Sequence, residues 1–198
     1  MFIPPTTTTL AEFDTQSGGG VHACRVLRLD VTSTARAARV VHNLDGIGYA
    51  VSADRLRDAG VELWRRWTSE HPTRIPHVLL GLDTGGIIPT ATVALAADLP
   101  YQVAWKLELD LLSPNKHRFT APHGPNKLVH VYADVADRRV LLVDDQITSG
   151  YTLRNLTEVL RDAGAVVLGA LCLVEDTSGD GRALLEKNGV PVCALTTL

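Results

Sequence analysis

Short apolar runs alternate with amphipathic segments through most of the chain. A short apolar run bounded by turn residues is typical of a buried strand, whereas apolar residues spaced three or four apart are typical of a helix. The apolar runs predict strands over residues 78–82, 101–105, 128–132, 140–143, 166–174 and 190–195, and the helical spacing predicts helices over residues 85–97, 149–163 and 181–187. Strands that alternate with helices predict an α/β fold, with a mostly parallel sheet flanked by helices.

The first third of the chain is less regular. Residues 1–20 contain Pro4-Pro5, several threonines and three consecutive glycines, and we expect them to form a flexible arm. An apolar run predicts a strand over residues 21–31, and Ser52 is a candidate N-cap for a helix that ends near residue 70. The length favours a single domain over residues 21–198, with a smaller N-terminal part of about residues 21–75 and a core of about residues 76–198.

The composition is that of a globular protein. Of the 198 residues, 45% are hydrophobic and 21% are charged, and the formal net charge of −3 gives no reason to expect a nucleic-acid or membrane partner. We find no apolar run of the roughly 20 residues that span a bilayer, and no secretory signal pattern. The three cysteines lie far apart in apolar runs, which indicates buried thiols and a cytoplasmic protein.

The most informative segment is residues 140–153, with the sequence VLLVDDQITSGYTL. An apolar strand is followed by two carboxylates, Asp144 and Asp145, and a hydroxyl-rich loop with one glycine then precedes a helix. Backbone N–H groups at such a helix start, together with the helix dipole, bind an anion such as a phosphate. Because like charges repel, the carboxylates suit a group attached to that phosphate, such as ribose hydroxyls or a metal ion.

Two other interpretations of this segment stay open. An ordinary helix start capped by Ser149 explains one hydroxyl, but neither the acid pair nor the other hydroxyls. Adjacent acids also end strands in metal-dependent phosphatases and receiver domains, where they usually belong to the first strand. Here the pair follows two strand–helix units, which favours a sugar-phosphate site.

The segment resembles the phosphoribosyl-pyrophosphate (PRPP) signature of the type I phosphoribosyltransferases. Similarity to the xanthine and adenine phosphoribosyltransferase group extends over about residues 24–198, and it is carried by Val26-Leu27-Arg28-Leu29-Asp30, Gly86-Ile87-Ile88-Pro89-Thr90-Ala91 and Gly181-Arg182-Ala183-Leu184-Leu185-Glu186. One departure is Gln146, where the family usually has an aliphatic residue. The resemblance implies the type I phosphoribosyltransferase core with a small N-terminal hood.

The resemblance also implies a role for each motif. Asp144 and Asp145 would hold the ribose hydroxyls, and we predict them, with Lys106, to be the catalytic residues. The 5′-phosphate would be bound by the loop Thr148, Ser149, Gly150, Tyr151 and Thr152. The pyrophosphate would be bound by Lys106 and by a glycine-rich loop, Asp83, Thr84, Gly85 and Gly86, in which the family often has unusual backbone geometry.

A polar stretch over residues 107–127 is rich in basic residues. We expect a mobile loop that closes over the pyrophosphate and excludes water, with Lys116, His117 and Arg118 as its candidate residues. A solvated surface loop is the alternative.

The acceptor site is less well defined. In the xanthine enzymes of the family, the strand before the Gly-Arg helix ends in an acidic residue, and a lysine that faces a purine oxygen follows it. In this chain the corresponding residues are Glu175 and Asp176, so a carboxylate stands where those enzymes have the lysine. A carboxylate accepts hydrogen bonds from N–H groups, so we expect an acceptor that carries them: an aminopurine, an amine or another cationic nucleophile. The alternative is that Asp176 begins a surface turn. Asn43, in the hood, is a further candidate acceptor residue.

The resemblance implies a transfer of the 5-phosphoribosyl group from PRPP to a nitrogen nucleophile, with a purine base as the leading acceptor and with release of pyrophosphate. The resemblance implies a requirement for Mg²⁺, carried by PRPP near Asp144 and Asp145 rather than by a preformed protein site, and a homodimer. A specialised small-molecule acceptor of secondary metabolism is the alternative substrate. A non-catalytic PRPP-sensing regulator is the alternative class of protein.

Overall fold

The structure, a computed structural model, describes residues 26–30, 38–42, 44–46, 50–111, 115–121 and 128–198. The predicted arm over residues 1–20, like Asn43, lies outside these residues. The strands are β1 (Val26–Asp30), β2 (Ala38–His42), β3 (Val78–Leu82), β4 (Tyr101–Ala104), β5 (His117–Thr120), β6 (Leu128–Val131), β7 (Arg139–Ile147), β8 (Val166–Glu175) and β9 (Val192–Thr197). The helices are α1 (Ala53–Glu70), α2 (Ile87–Ala97), α3 (Tyr151–Asp162) and α4 (Gly181–Lys187).

A five-stranded parallel sheet with the order β4-β3-β7-β8-β9 forms the centre of the fold. The chain runs outward from β3 to β4, and it then returns to the other side of β3 to form β7, β8 and β9. The direction of winding therefore reverses between β3 and β7. In open parallel sheets, ligands bind at such a reversal, beyond the carboxyl ends of the strands. The predicted class, a mostly parallel sheet flanked by helices, is confirmed.

Each face of the sheet has its own apolar core. On one face, Leu63 and Trp67 of α1 and Val93 of α2 are fully buried against the central strands. On the other face, α3 contributes Leu156 and Leu160, and the β5–β6 hairpin packs beside them. Because both faces are covered, the central strands are apolar throughout rather than alternating, and this property made them recognisable in the sequence.

Three elements differ from the expectations. The polar stretch over residues 107–127 contains a strand, β5. Its side chains alternate between exposed Arg118, buried Phe119 and exposed Thr120, but so short an alternation does not predict a strand from the sequence. β7 continues past the acid pair to Ile147, since its neighbour β8 pairs with it as far as Glu175. The chain also forms β2, which pairs antiparallel with β1.

The helix predicted after Ser52 begins there, because the Ser52 hydroxyl accepts a hydrogen bond from the backbone N–H of Arg55 at 3.3 Å. Among the helices of the described ranges, none has the length and apolar character needed to cross a membrane. The division into a hood and a core stays a prediction.

Candidate functional site

Three neighbouring strands bring the predicted site residues to one edge of the sheet. Asp83 follows β3, Lys106 follows β4, and the acid pair, Asp144 and Asp145, lies near the end of β7. The loops after β3 and β4 are joined by two hydrogen bonds: the backbone N–H of Asp83 donates to the carbonyl of Ala104 at 2.9 Å, and the backbone N–H of Lys106 donates to the Asp83 carboxylate at 3.1 Å. Asp83 is thus engaged in holding the two loops together.

The acid pair is held in an electrostatically unfavourable position. The backbone N–H of Asp145 donates to the Asp144 carboxylate at 2.9 Å. Burial raises the pKa of Asp144 well above its usual range, the adjacent charge of Asp145 raises it further, and the positive charge of Lys106 opposes both effects. The ionised form of Asp144 is therefore stabilised by a ligand that donates hydrogen bonds or brings positive charge.

The glycine-rich loop, residues 83–86, lies directly against this pair. A Cβ atom on Gly85 would lie 2.1 Å from an oxygen of the Asp145 carboxylate, so only glycine allows the two segments to approach this closely. The Asp83–Thr84 peptide bond is cis, a backbone geometry of the unusual kind implied by the resemblance. The loops after β3 and β7, which flank the reversal of the sheet, are therefore in contact.

The phosphate loop, residues 148–152, leads from β7 into α3. Gly150 is the N-cap residue, with a φ angle of 71°, and no side chain caps the helix. The interpretation that Ser149 serves as an ordinary cap is therefore wrong, and the backbone N–H groups of the first turn are not satisfied by a capping side chain. Thr148, Ser149 and Thr152 are half-buried beside these groups, whereas Tyr151 is exposed. The arrangement is that of an anion-binding helix start.

The candidate loop residues lie on or beside the β5–β6 hairpin. Lys116 pairs with Glu108 at 2.6 Å, and its ammonium group lies 5.8 Å from the centre of the Tyr132 ring. His117 and Arg118 belong to β5, so they lie in a paired strand rather than in coil. Lys106, by contrast, acts on the acid pair: its positive charge lowers the pKa of Asp144.

The two candidate acceptor carboxylates have different surroundings. Both oxygens of Glu175 are engaged by the guanidinium of Arg182, in the first turn of α4. Asp176 is also buried, and its carboxylate accepts the backbone N–H of Ser178 at 3.0 Å, which makes Asp176 the first residue of a tight turn. This turn is joined to the end of β7, since the backbone N–H of Asp176 donates to the carbonyl of Ile147.

Two further side chains lie at the site that were assigned no role from the sequence. His42, the last residue of β2, and Asp45, in the turn that follows, have side-chain atoms within 4.8 Å of the Asp145 carboxylate and of one another. The His42 ring accepts the backbone N–H of Leu44 at its Nδ1 atom and lies 3.2 Å from the Asp45 carboxylate through Nε2. Their separation from Asp145 along the chain leaves no local signal, because only the tertiary fold brings them together.

Comparisons with known proteins agree with this geometry. The family model described as "Phosphoribosyl transferase domain" matches residues 52–188. A xanthine phosphoribosyltransferase of Chloroflexus aurantiacus is 30% identical over 182 residues, covering 89% of this chain and 82% of the relative. A xanthine phosphoribosyltransferase of Lacticaseibacillus casei is 27% identical over 157 residues, covering 77% of this chain and 80% of the relative.

Solved structures share the fold at lower sequence identity. The adenine phosphoribosyltransferase of Rhodothermus marinus has a TM-score of 0.65 and 20% identity, covering 89% of this chain and 94% of that one. The APRTase from Giardia lamblia complexed with 9-deazaadenine has a TM-score of 0.67 and 18% identity, covering 97% and 99%. The chain belongs to the phosphoribosyltransferase family, a family of pentosyltransferase enzymes, and the resemblance identified in the sequence is confirmed.

The raised pKa of Asp144 predicts a conflict between stability and ligand binding. Because this pKa is higher in the folded than in the unfolded protein, the group lowers stability as the pH rises from the unfolded value of about 4 through the folded value. Asp144→Asn removes the charge and keeps an oxygen for the N–H of Asp145. We expect the ligand-free variant to melt at a higher temperature than the wild type at pH 7, with a difference that shrinks towards pH 4.

Thermal unfolding followed by circular dichroism at several pH values measures this difference. Asp134→Asn, at an exposed position, is the matched control for loss of one charge. A variant that is less stable than the wild type at pH 7 would contradict the prediction.

Proposed function

We propose that the protein transfers the 5-phosphoribosyl group of PRPP to a nitrogen nucleophile and releases pyrophosphate. The observation that carries this proposal is the contact between Asp145 and Gly85, which joins the acid pair to the glycine-rich loop. The phosphate loop begins directly after β7, the strand that holds the acid pair. A diol-binding pair thus lies between two anion-binding loops. PRPP has the same order of groups: a pyrophosphate, a ribose diol and a 5′-phosphate.

Each part has a defined chemical task in this reaction. Asp144 and Asp145 accept hydrogen bonds from the ribose hydroxyls, and their charge stabilises the positive charge that develops on the ribose in the transition state. The first turn of α3 and the hydroxyls of the phosphate loop bind the 5′-phosphate. Lys106 and the glycine-rich loop bind the pyrophosphate, and Lys116 reaches it when the hairpin segment closes and excludes water.

The donors at the site fit Mg²⁺, a cation that prefers oxygen ligands. Asp144 and Asp145, with the oxygens of PRPP, are the groups that would hold it. Since the His42 Nδ1 atom accepts an N–H, the ring hydrogen lies on Nε2, so this imidazole presents no lone pair to a metal ion. When bound, Mg²⁺ would neutralise part of the charge on the leaving pyrophosphate.

The leading acceptor is a purine base. Xanthine is named for the curated relatives, which supports a purine; the solved structures share only the fold and name adenine in some cases and orotate in others, so they do not select between an oxo and an amino base. Because Arg182 engages Glu175, we assign recognition of an acceptor N–H to Asp176, which follows β8 at the same edge of the sheet as the acid pair. This assignment favours an amino-bearing purine. A specialised amine is the alternative acceptor, and Asn43 stays a candidate.

The reaction is tested by the release of pyrophosphate from PRPP and Mg²⁺ in the presence of a panel of purines and amines. We expect release with at least one acceptor, and we expect the double variant Asp144→Asn, Asp145→Asn to turn over at least about 100-fold more slowly, because it loses two charge-assisted hydrogen bonds of roughly 1.5–3 kcal/mol each.

The Asp134→Asn variant, altered at an exposed position, serves as the control and should keep wild-type turnover. Wild-type turnover in the double variant would remove the acid pair from the mechanism. Binding of PRPP without release of pyrophosphate for any acceptor in the panel would instead indicate a PRPP-sensing regulator.

Acceptor choice is tested by Asp176→Asn, which keeps an oxygen for the N–H of Ser178 and removes the charge. We expect the ratio of kcat/KM for adenine to that for xanthine to fall about tenfold, as the variant loses roughly 1.4 kcal/mol of charge assistance. Asp180→Asn, in the same turn but exposed, is the control. An unchanged ratio would show that Asp176 serves only the turn.

We also propose that the protein forms a homodimer through α2. Ile88 and Leu95, two helical turns apart on the same side of α2, have 47% and 86% of their surface exposed. A second copy of the chain that packs on this face would remove both apolar side chains from water. Ile88→Glu with Leu95→Glu should convert a dimer into a monomer in sedimentation velocity, whereas Ile75→Glu, at another exposed apolar position, should not. A monomeric wild type would contradict the proposal.

A further inference from the structure

Gln146, one expected departure of the signature from its family, makes a specific contact. It lies in β7, between the acid pair and the phosphate loop. Its side-chain amide, at Nε2, donates a hydrogen bond to the hydroxyl oxygen of Thr148 at 2.7 Å. An aliphatic side chain at this position cannot make this bond.

The bond determines what the Thr148 hydroxyl can offer to a ligand. A hydroxyl has one hydrogen and two lone pairs. When Gln146 donates to one lone pair, the hydroxyl hydrogen stays available for another acceptor. An oxygen of a bound phosphate is such an acceptor, and a hydrogen bond to a charged group is stronger than one between neutral groups.

The surrounding backbone holds Thr148 in place on both sides. Its carbonyl accepts the backbone N–H of Gly181 at 2.9 Å, and the carbonyl of the preceding Ile147 accepts the backbone N–H of Asp176 at 2.8 Å. The main chain is therefore fixed by the β8–α4 turn, and Gln146 adds a restraint on the side chain. Thr148 itself is half-buried, so its hydroxyl stays within reach of a ligand.

We propose that Gln146 is a positioning residue that orients the Thr148 hydroxyl as a hydrogen-bond donor to the 5′-phosphate of PRPP. This inference rests on the proposed function and assigns part of the phosphate affinity to a side chain outside the phosphate loop. Gln146 acts through Thr148 and does not itself touch the substrate.

The affinity for PRPP in the presence of Mg²⁺, measured by titration calorimetry without an acceptor, tests the inference. Gln146→Met keeps the length of the side chain without the donor, and it should weaken PRPP binding about 3- to 10-fold, which corresponds to one hydrogen bond. Gln146→Glu should weaken binding more at pH 8, because its carboxylate attracts the Thr148 hydrogen away from the phosphate and repels the anion. A purely structural role predicts the opposite order, since Glu matches Gln in shape better than Met does.

A double-mutant cycle shows whether Gln146 acts through Thr148. Thr148→Val should weaken PRPP binding about tenfold or more, because a hydrogen bond to a charged group is lost. In that background, Gln146→Met should have no further effect. Thr148→Ser, which keeps the hydroxyl, should retain most of the affinity, and the KM for the acceptor should be unchanged in every variant.

The outcomes separate this inference from the proposed function. Independent losses in the cycle, a larger loss for Met than for Glu, or a loss confined to the KM of the acceptor would each overturn the role of Gln146. Failure of the wild type to bind PRPP would overturn the proposed function itself. Should Gln146→Met fail to fold, as judged by circular dichroism, Gln146→Leu provides the aliphatic residue usual in the family for the same measurements.

Discussion

The close approach of two carboxylates at the end of β7 is the constraint on which the site depends. Asp144 and Asp145 are adjacent in sequence and partly buried, and burial together with the charge of Asp145 raises the pKa of Asp144. Two features of the surroundings accommodate the pair without removing the repulsion between its charges. The backbone N–H of Asp145 donates a hydrogen bond to the Asp144 carboxylate, and Gly85, which has no side chain, leaves room for the Asp145 carboxylate. Two carboxylates that repel each other in the ligand-free protein are typical of a site whose ligand relieves this repulsion.

The central architecture could be predicted from the sequence because buried parallel strands are continuous apolar runs. β3 was predicted with its observed bounds, and the helix after Ser52 began at the expected cap. Of the four short strands outside the main sheet, β1 and β6 lie within predicted strands, whereas β2 and β5 were missed. These two have five and four residues, and the side chain of Phe119 is the one buried position of β5.

The part of the candidate site that is contiguous in sequence could be predicted. The acid pair and the phosphate loop form one segment, so their order along β7 and α3 was evident from the sequence. The ion pair between Glu175 and Arg182 was missed, because it requires the turn between β8 and α4 to bring a strand end back to a helix start. The approach of His42 and Asp45 to Asp145 was missed for a similar reason, since it depends on how the N-terminal strands pack.

The ion pair between Lys116 and Glu108 bears on how the hairpin segment would move. A lysine that is already paired gives up one anion when it reaches another, so closing over a charged ligand is an exchange of partners rather than a net gain of an ion pair. If the segment closes as proposed, the ion pair that Lys116 forms with the ligand is offset by the loss of its pair with Glu108, which lowers the net gain from closure. Glu108 would then compete with the ligand for Lys116 and favour reopening of the segment after the reaction.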